Sequence, residues 1–304
     1  MKPSFWKYIL SMLLFGLNGI VASRIALSSY EIVWLRTLFG SLFLIGVFFL
    51  GRRTMAFRHH RKSFIYLILS GVSMGISWML LYEAYQLIGV SIASLLYYCG
   101  PVIVMILSPI LFRERLTRNR VISFLVVLAG VYLINGQMPQ TQQAGRGILF
   151  GLLSALMYSG MVIFNKKAHG ITGLENASFQ LLVSFLTVTV FIAFRHGLTI
   201  PADSVNWPAI LTLGLVNTGV GCYLYFSSIG HLPAQTVAIF SYLELLSAVL
   251  FSVLLLREVL HPLQIAGALI MIGGAVFAQI SVNRKIQSDH EAQAIMAENS
   301  TDSI

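Results

Sequence analysis

The sequence predicts an all-α polytopic membrane protein: ten transmembrane helices, arranged as two inverted five-helix repeats, with both termini cytoplasmic. Three observations predict this. The 304 residues are 57% hydrophobic and 10% charged, with a mean hydropathy of +0.81, whereas about a quarter of the residues in a soluble domain are charged. The apolar residues gather into runs of membrane-crossing length along the whole chain. The chain also matches itself at an offset of 144 residues.

The runs lie near 5–22, 31–50, 64–86, 90–112, 120–136, 146–165, 176–195, 208–229, 233–256 and 262–282. Each approaches the roughly 20 residues that a helix needs to cross the hydrocarbon core. Strands of an outer-membrane barrel would be about half as long and would alternate in polarity; these runs do neither. The connections between them are short and leave no room for a large soluble domain. The first run follows a basic start and ends in Ala22 and Ser23, as a cleaved leader would, but the repeat assigns it to a retained span.

A net charge of +9 would suggest nucleic acid in a soluble chain. In a membrane chain it is read by side, because basic loops stay cytoplasmic, so no nucleic-acid partner is expected. With the N-terminus inside, fifteen of the twenty basic residues fall on the inner side, in the groups at Lys2, Arg52, Arg113, Lys166 and Arg284. Four fall outside (Arg24, Arg146, Arg195 and Arg257), and Arg36 lies within a span.

The offset of 144 places Arg113-Glu114 on Arg257-Glu258, Tyr98 on Tyr242, Glu31 on Glu175 and Gly130 on Gly274. A slip to 142 pairs Arg24 with Lys166. The chain therefore divides into a first repeat at 1–140, a second at 141–283 and a polar, disordered cytoplasmic tail at 284–304. Five spans is an odd number, so the second repeat enters the membrane from the opposite face. Inverted repeats of this kind recur in secondary transporters, with substrate held near the midplane between them.

Three stretches resemble the drug/metabolite transporter superfamily, specifically its EamA-type members. "GPVIVMILSPILFRERLTRNRVISFLVVLAGVYLI" resembles the family's pattern of Pro, an apolar run, Gly-Glu-Arg and a Gly-containing last span. "YLELLSAVLFSVLLLREVLHPLQIAGALIMIGGAVF" resembles the same pattern in the second half, and "IVWLRTLFGSLFL" carries an Arg near the start of span 2. Arg113 and Arg257 stand where the family usually has Gly, Val259 replaces the usual Arg, and Leu245 replaces the Pro expected after Glu244. The resemblance implies a ten-helix transporter with a central cavity lined by spans 1, 3, 4, 6, 8 and 9, in the inner or plasma membrane.

Glu244 is the foremost site candidate. It lies eleven residues into span 9, near the bilayer centre, where an ionised carboxylate persists only beside a wet cavity or a partner. It is read as a proton-coupling site or a binder of a substrate amine, against a structural reading as a neutral Glu bonded to a neighbouring helix. Arg36 and Glu83 lie at depths that differ by about 1.5 Å. They are read as an ion pair locking the outer half, or as a gate, with Glu83 a second proton site if Arg36 pairs elsewhere.

One-sided polar stripes occur at Ser11, Phe15, Asn18 and Ala22; at Met79, Tyr82, Glu83 and Gln86; at Ser154, Tyr158, Met161 and Asn165; and at Asn217, Gly221, Tyr225 and Ser228. Their helical spacing suggests a shared cavity, with helix-to-helix hydrogen bonding the competing explanation. Tyr97, Tyr98 and Tyr242 sit too deep for an interfacial belt, which suits Trp6, Trp34 and Trp207; Trp78 is intermediate and joins the cavity set. Pro101 and Pro109 remove backbone donors and are expected to kink span 4. Gly71 with Gly75, and Gly147 with Gly151, have the spacing of close helix contacts.

Cys99 and Cys222 both fall in apolar runs and suggest neither a disulfide framework nor a metal site. Phosphate-loop, HExxH and nucleophile motifs are missing from the sequence, so no cofactor and no enzyme activity are expected. The expected function is secondary active transport of small organic solutes by alternating access, as an exporter of amino acids or related metabolites. A drug or organic-cation exporter is the alternative; a membrane enzyme or a non-transporting membrane protein fits less well. The partners expected are a small-molecule substrate and the lipid bilayer, with the chain a monomer or a homodimer.

Overall fold

A backbone in hydrocarbon must satisfy its own hydrogen bonds, which restricts apolar runs of this length to helices. The computed structural model describes residues 2–51, 56–88, 90–114, 117–135, 143–195, 205–256 and part of 262–277. Among the described residues there are helices and no strands. They are α1 (Lys2–Gly16), α2 (Asn18–Ala22), α3 (Ser29–Leu50), α4 (Arg61–Ile88), α5 (Val90–Tyr97), α6 (Cys99–Phe112) and α7 (Arg118–Asn135). The second half follows with α8 (Ala144–Lys167), α9 (Gly173–Arg195), α10 (Trp207–Leu211), a π-helical segment (Thr212–Val220), α11 (Gly221–Ile229), α12 (Ala234–Phe240) and α13 (Leu243–Leu256).

Among the described residues, seven helical stretches are long and apolar enough to cross a membrane, and three further apolar helices are shorter: Cys99–Phe112, Val121–Leu133 and Ile265–Gly274. Leu50, Ile110 and Phe194 are among the large apolar side chains turned outward, and Phe194 is 91% exposed. On a soluble protein such a surface would be a liability; in a bilayer it is the lipid-facing face. Arg257-Glu258 and the tail at 284–304 lie outside the described residues.

Packing is built on small residues. The α4 helix lies against α8 and α9, α1 against α11 and α13, and α3 against α9 and the π-helical segment. A Cβ at Gly75 would come within 2.8 Å of the Thr187 Cβ on α9, and one at Gly71 within 2.7 Å of the Val183 Cβ. Gly147 abuts Leu87 and Ile88, and Gly151 abuts Leu96. Both glycine pairs therefore serve contacts inside one chain. Serines clasp the same seams: Ser77 and Ser154 each donate to the other's carbonyl at 2.8 Å, and Ser70 donates to the Met161 carbonyl at 2.6 Å. Side-chain bonds of this kind contribute about 0.6 kcal/mol each within a membrane.

Several spans are interrupted near their middles. Between α5 and α6 the break at Tyr98 follows from Pro101, which has no N–H for the carbonyl one turn earlier. Between α12 and α13 the break at Ser241 and Tyr242 occurs with Leu245 in place of Pro. There the Glu244 N–H turns back to the Ser241 carbonyl at 3.1 Å, and the Tyr242 hydroxyl donates to the Tyr98 carbonyl at 2.7 Å. The two breaks, 144 residues apart, thus hold each other. A third break falls at Leu17, where Gly16 leaves no space for a side chain beneath Ser247 of α13.

Candidate functional site

The interrupted helices surround a cavity of about 470 Å³, within the roughly 300–1,000 Å³ typical of small-molecule sites. Both halves of the chain line it. The first half contributes Asn18, Arg36, Trp78, Tyr82, Tyr85, Tyr97 and Tyr98; the second contributes Tyr158, Met161, Cys222, Tyr225 and Glu244. It extends to the end of the bundle where α2 stops and α3 starts, since Ala22 and Ser29 also line it. The Ser28 side chain and Glu31 form a reciprocal cap that starts α3 there, an arrangement that satisfies exposed helix donors.

Arg36 is 7% exposed and is fixed in place by two neutral partners. Its Nε–H donates to the Thr218 hydroxyl at 3.0 Å, and its guanidinium lies 4.7 Å from the centre of the Trp78 ring. The π-helical turn presents Thr218: its hydroxyl donates to the Leu213 carbonyl five residues earlier, at 2.8 Å. Single π-helical turns are frequent at functional sites. Here the turn also brings Gly214 against Phe39 and Gly219 against Phe43, which seats it closely on α3.

Glu244 stands in the first turn of α13, immediately after the break. A carboxylate near a helix N-terminus is favoured by the helix dipole. The neighbouring α2 helix packs on α13 and brings the Asn18 side chain to the same wall; its carbonyl oxygen is buried without a hydrogen-bond partner. Tyrosines form much of the remaining surface. Tyr97 meets Tyr158 edge-on at 5.2 Å, Tyr98 lies 5.7 Å from Tyr242, and Tyr82 meets Tyr85 at 5.2 Å.

The opposite end of the bundle is closed by residues that do not line the cavity. The Tyr8 hydroxyl donates to the Val237 carbonyl at 2.9 Å, and Phe5 meets Phe240 edge-on at 5.1 Å. Lys166 donates to the Ile229 carbonyl at 3.2 Å and to the Leu232 carbonyl, satisfying acceptors where α11 ends. Glu114 receives the N–H groups of Ala234 and Gln235 where α12 begins. Its neighbour in the chain, Arg113, sits in a left-handed backbone conformation, φ 55°, at the helix end where the related pattern carries Gly.

Of the residues singled out in the sequence, Glu244, Asn18, Trp78, Tyr82, Tyr98, Tyr158 and Tyr225 line the cavity together. Asn217, Tyr242 and Glu83 do not. Asn217 turns to the Leu14 carbonyl at 3.0 Å, Tyr242 is spent on the Tyr98 carbonyl, and Glu83 is 8% exposed within α4. The contacts recorded for Arg36 among the described residues are with Thr218 and Trp78. Span 2 therefore joins the lining through Arg36 and Ile32, which the expected set of spans omitted. The stripes divided too: Ser154 and Asn165 bond to neighbouring helices, while Tyr158 and Met161, on the same face, reach the cavity.

Comparison with known proteins agrees with this architecture. The EamA-like transporter family matches residues 5–136 and again residues 145–279. The chain is 27% identical over 242 residues to the uncharacterized transporter YxxF of Bacillus subtilis, covering 78% of this chain and 77% of that one. It is 24% identical to the pseudopaline exporter CntI of Pseudomonas aeruginosa, over 84% of this chain and 88% of that one. It is 20% identical to the S-adenosylmethionine uptake transporter of Rickettsia prowazekii, over 94% and 95% of the two chains.

Proposed function

The chain belongs to the EamA-like transporter family of multi-pass membrane proteins, and from that premise we propose that it is a secondary active transporter of small organic solutes, working by alternating access. The observation that carries the proposal is the cavity itself: it is built from both halves, closed at one end, and holds an acid at a helix break. Inverted-repeat transporters bind substrate at such interrupted helices and expose the site to each side in turn.

The proposal takes residues 1–140 and 141–283 as inverted repeats forming ten spans, with both termini cytoplasmic and the chain in the inner or plasma membrane. The separate family matches to each half and the mutually bonded breaks at Tyr98 and Tyr242 support it. In this orientation the cavity opens to the exterior. Export of amino acids or related metabolites is the direction proposed, with proton exchange at Glu244 as the coupling. The named relatives include both an exporter and an uptake transporter, so the experiment must report direction. A second reading, organic-cation efflux, draws on the tyrosine-rich lining around a single acid, because aromatic faces attract cations.

The test compares metabolites of cells and medium for three strains: empty vector, this protein, and its Glu244→Gln variant. Solutes enriched in the medium only with the unaltered protein are the expected result. Equal enrichment by both proteins would remove Glu244 from the working site. Enrichment inside the cells would reverse the direction, and enrichment confined to organic amines would favour the second reading. A profile identical to empty vector would refute the exporter.

A further inference from the structure

We propose that Arg36 is a substrate-binding residue that receives a carboxylate, so that with Glu244 lining the same cavity the site selects solutes carrying both an ammonium and a carboxylate group. This rests on the transport reading above and narrows it to a substrate class. The argument begins with what Arg36 is given. The Thr218 hydroxyl takes its Nε–H and the Trp78 ring supports its face. These contacts fix the plane of the guanidinium without neutralising its charge. Among the described residues nothing else accepts a hydrogen bond from it, and the remaining N–H groups form the planar fork that matches a carboxylate.

Glu244 and Asn18 give the same cavity groups of the opposite character. Glu244 brings a carboxylate, and Asn18 adds a buried carbonyl oxygen with no partner; both suit the donors of an ammonium group. Arg36 and Glu244 act on each other electrostatically. A zwitterion placed between them satisfies both at once. A simple amine would meet Glu244 and leave Arg36 as a like charge, and a simple acid would meet the reverse conflict. Discrimination then comes from repulsion as much as from contact. The tyrosines and Met74, Met161 and Phe226 would receive the solute's apolar part.

The experiment uses the purified full-length protein in proteoliposomes loaded with mixtures of the proteinogenic L-amino acids, or with their decarboxylated amines and their methyl esters, and measures efflux by mass spectrometry. We expect the unaltered protein to release at least one amino acid about tenfold faster than its amine or ester, a difference of about 1.4 kcal/mol. Arg36→Gln should slow the acid by about the same factor and speed the amine, which no longer meets a like charge, and retained amine transport also shows that the variant is folded; Arg36→Lys should recover part of the loss. An unchanged acid-to-amine ratio in Arg36→Gln would overturn the assignment. Equal loss of acid and amine would make Arg36 structural and overturn it too. If the unaltered protein moves amines as fast as amino acids, this inference fails and the transport reading stands. If it moves neither, both fail.

Discussion

Glu114 lies 120 residues from the helix it caps, and removing it tests whether that long-range contact holds the closed end of the bundle. Its carboxylate oxygens accept from the Ala234 N–H at 2.6 Å and the Gln235 N–H at 3.2 Å. Both residues are fully buried, so the N–H groups gain little from water once the acid is gone. Two hydrogen bonds to a charged acceptor at about 1.5 kcal/mol each, with a modest contribution from the helix dipole, give about 3–4 kcal/mol for Glu114→Ala. Glu114→Gln keeps a neutral acceptor and should lose about half as much. In a chain of this size about 2 °C of melting temperature accompanies each kcal/mol, so the alanine variant should melt about 6–8 °C lower. Cys222 is 2% exposed and provides the assay, since a thiol-reactive dye reports its exposure as the detergent-purified protein is heated. An alanine variant melting within about 1 °C of the unaltered protein would refute the reasoning.

Two further outcomes follow from the backbone. Arg113 holds φ 55° at the end of α6, a conformation that costs a non-glycine residue about 1–2 kcal/mol. After the entropy lost by glycine, Arg113→Gly should stabilise by about 0.5–1 kcal/mol, and a lower melting temperature would contradict this. Gly75→Leu should be severe, because even its Cβ would lie 2.8 Å from Thr187 and 3.0 Å from the Ser184 carbonyl. Forcing α4 away from α9 should cost about 3 kcal/mol or more, with Gly75→Ala milder. A leucine variant that melts with the unaltered protein would show that the two helices can separate freely.

The two ends of the cavity differ in how they are built. Among the described residues the contacts at the closed end include polar ones, Tyr8 to Val237, Glu114 to α12 and Lys166 to the end of α11, beside the Phe5–Phe240 ring contact. They join the ends of helices from both halves of the chain. The seams between α4 and α8 are instead continuous and built on small residues. Close packing of that kind transmits displacement as a rigid body, whereas end contacts can exchange for water.

The sequence by itself determined the membrane class and the positions of most helices, and it made Glu244 conspicuous as an acid within an apolar run. Those properties are local: hydropathy is a running average, and an intramembrane acid is conspicuous without knowledge of its neighbours. The tyrosines at 98, 158 and 225 were legible for the same reason, from depth and helical spacing. Only the tertiary structure decided which face of each helix reaches the cavity. It assigned Asn217 and Tyr242 to interhelical bonds and brought Arg36 into the lining. It placed Thr218 on Arg36 through a π-helical turn, and it broke span 9 without a proline by anchoring Tyr242 to the Tyr98 carbonyl. Each of these depends on contacts between residues more than a hundred positions apart. Periodicity along one helix carries no information about the rotation of that helix against partners so distant in the chain.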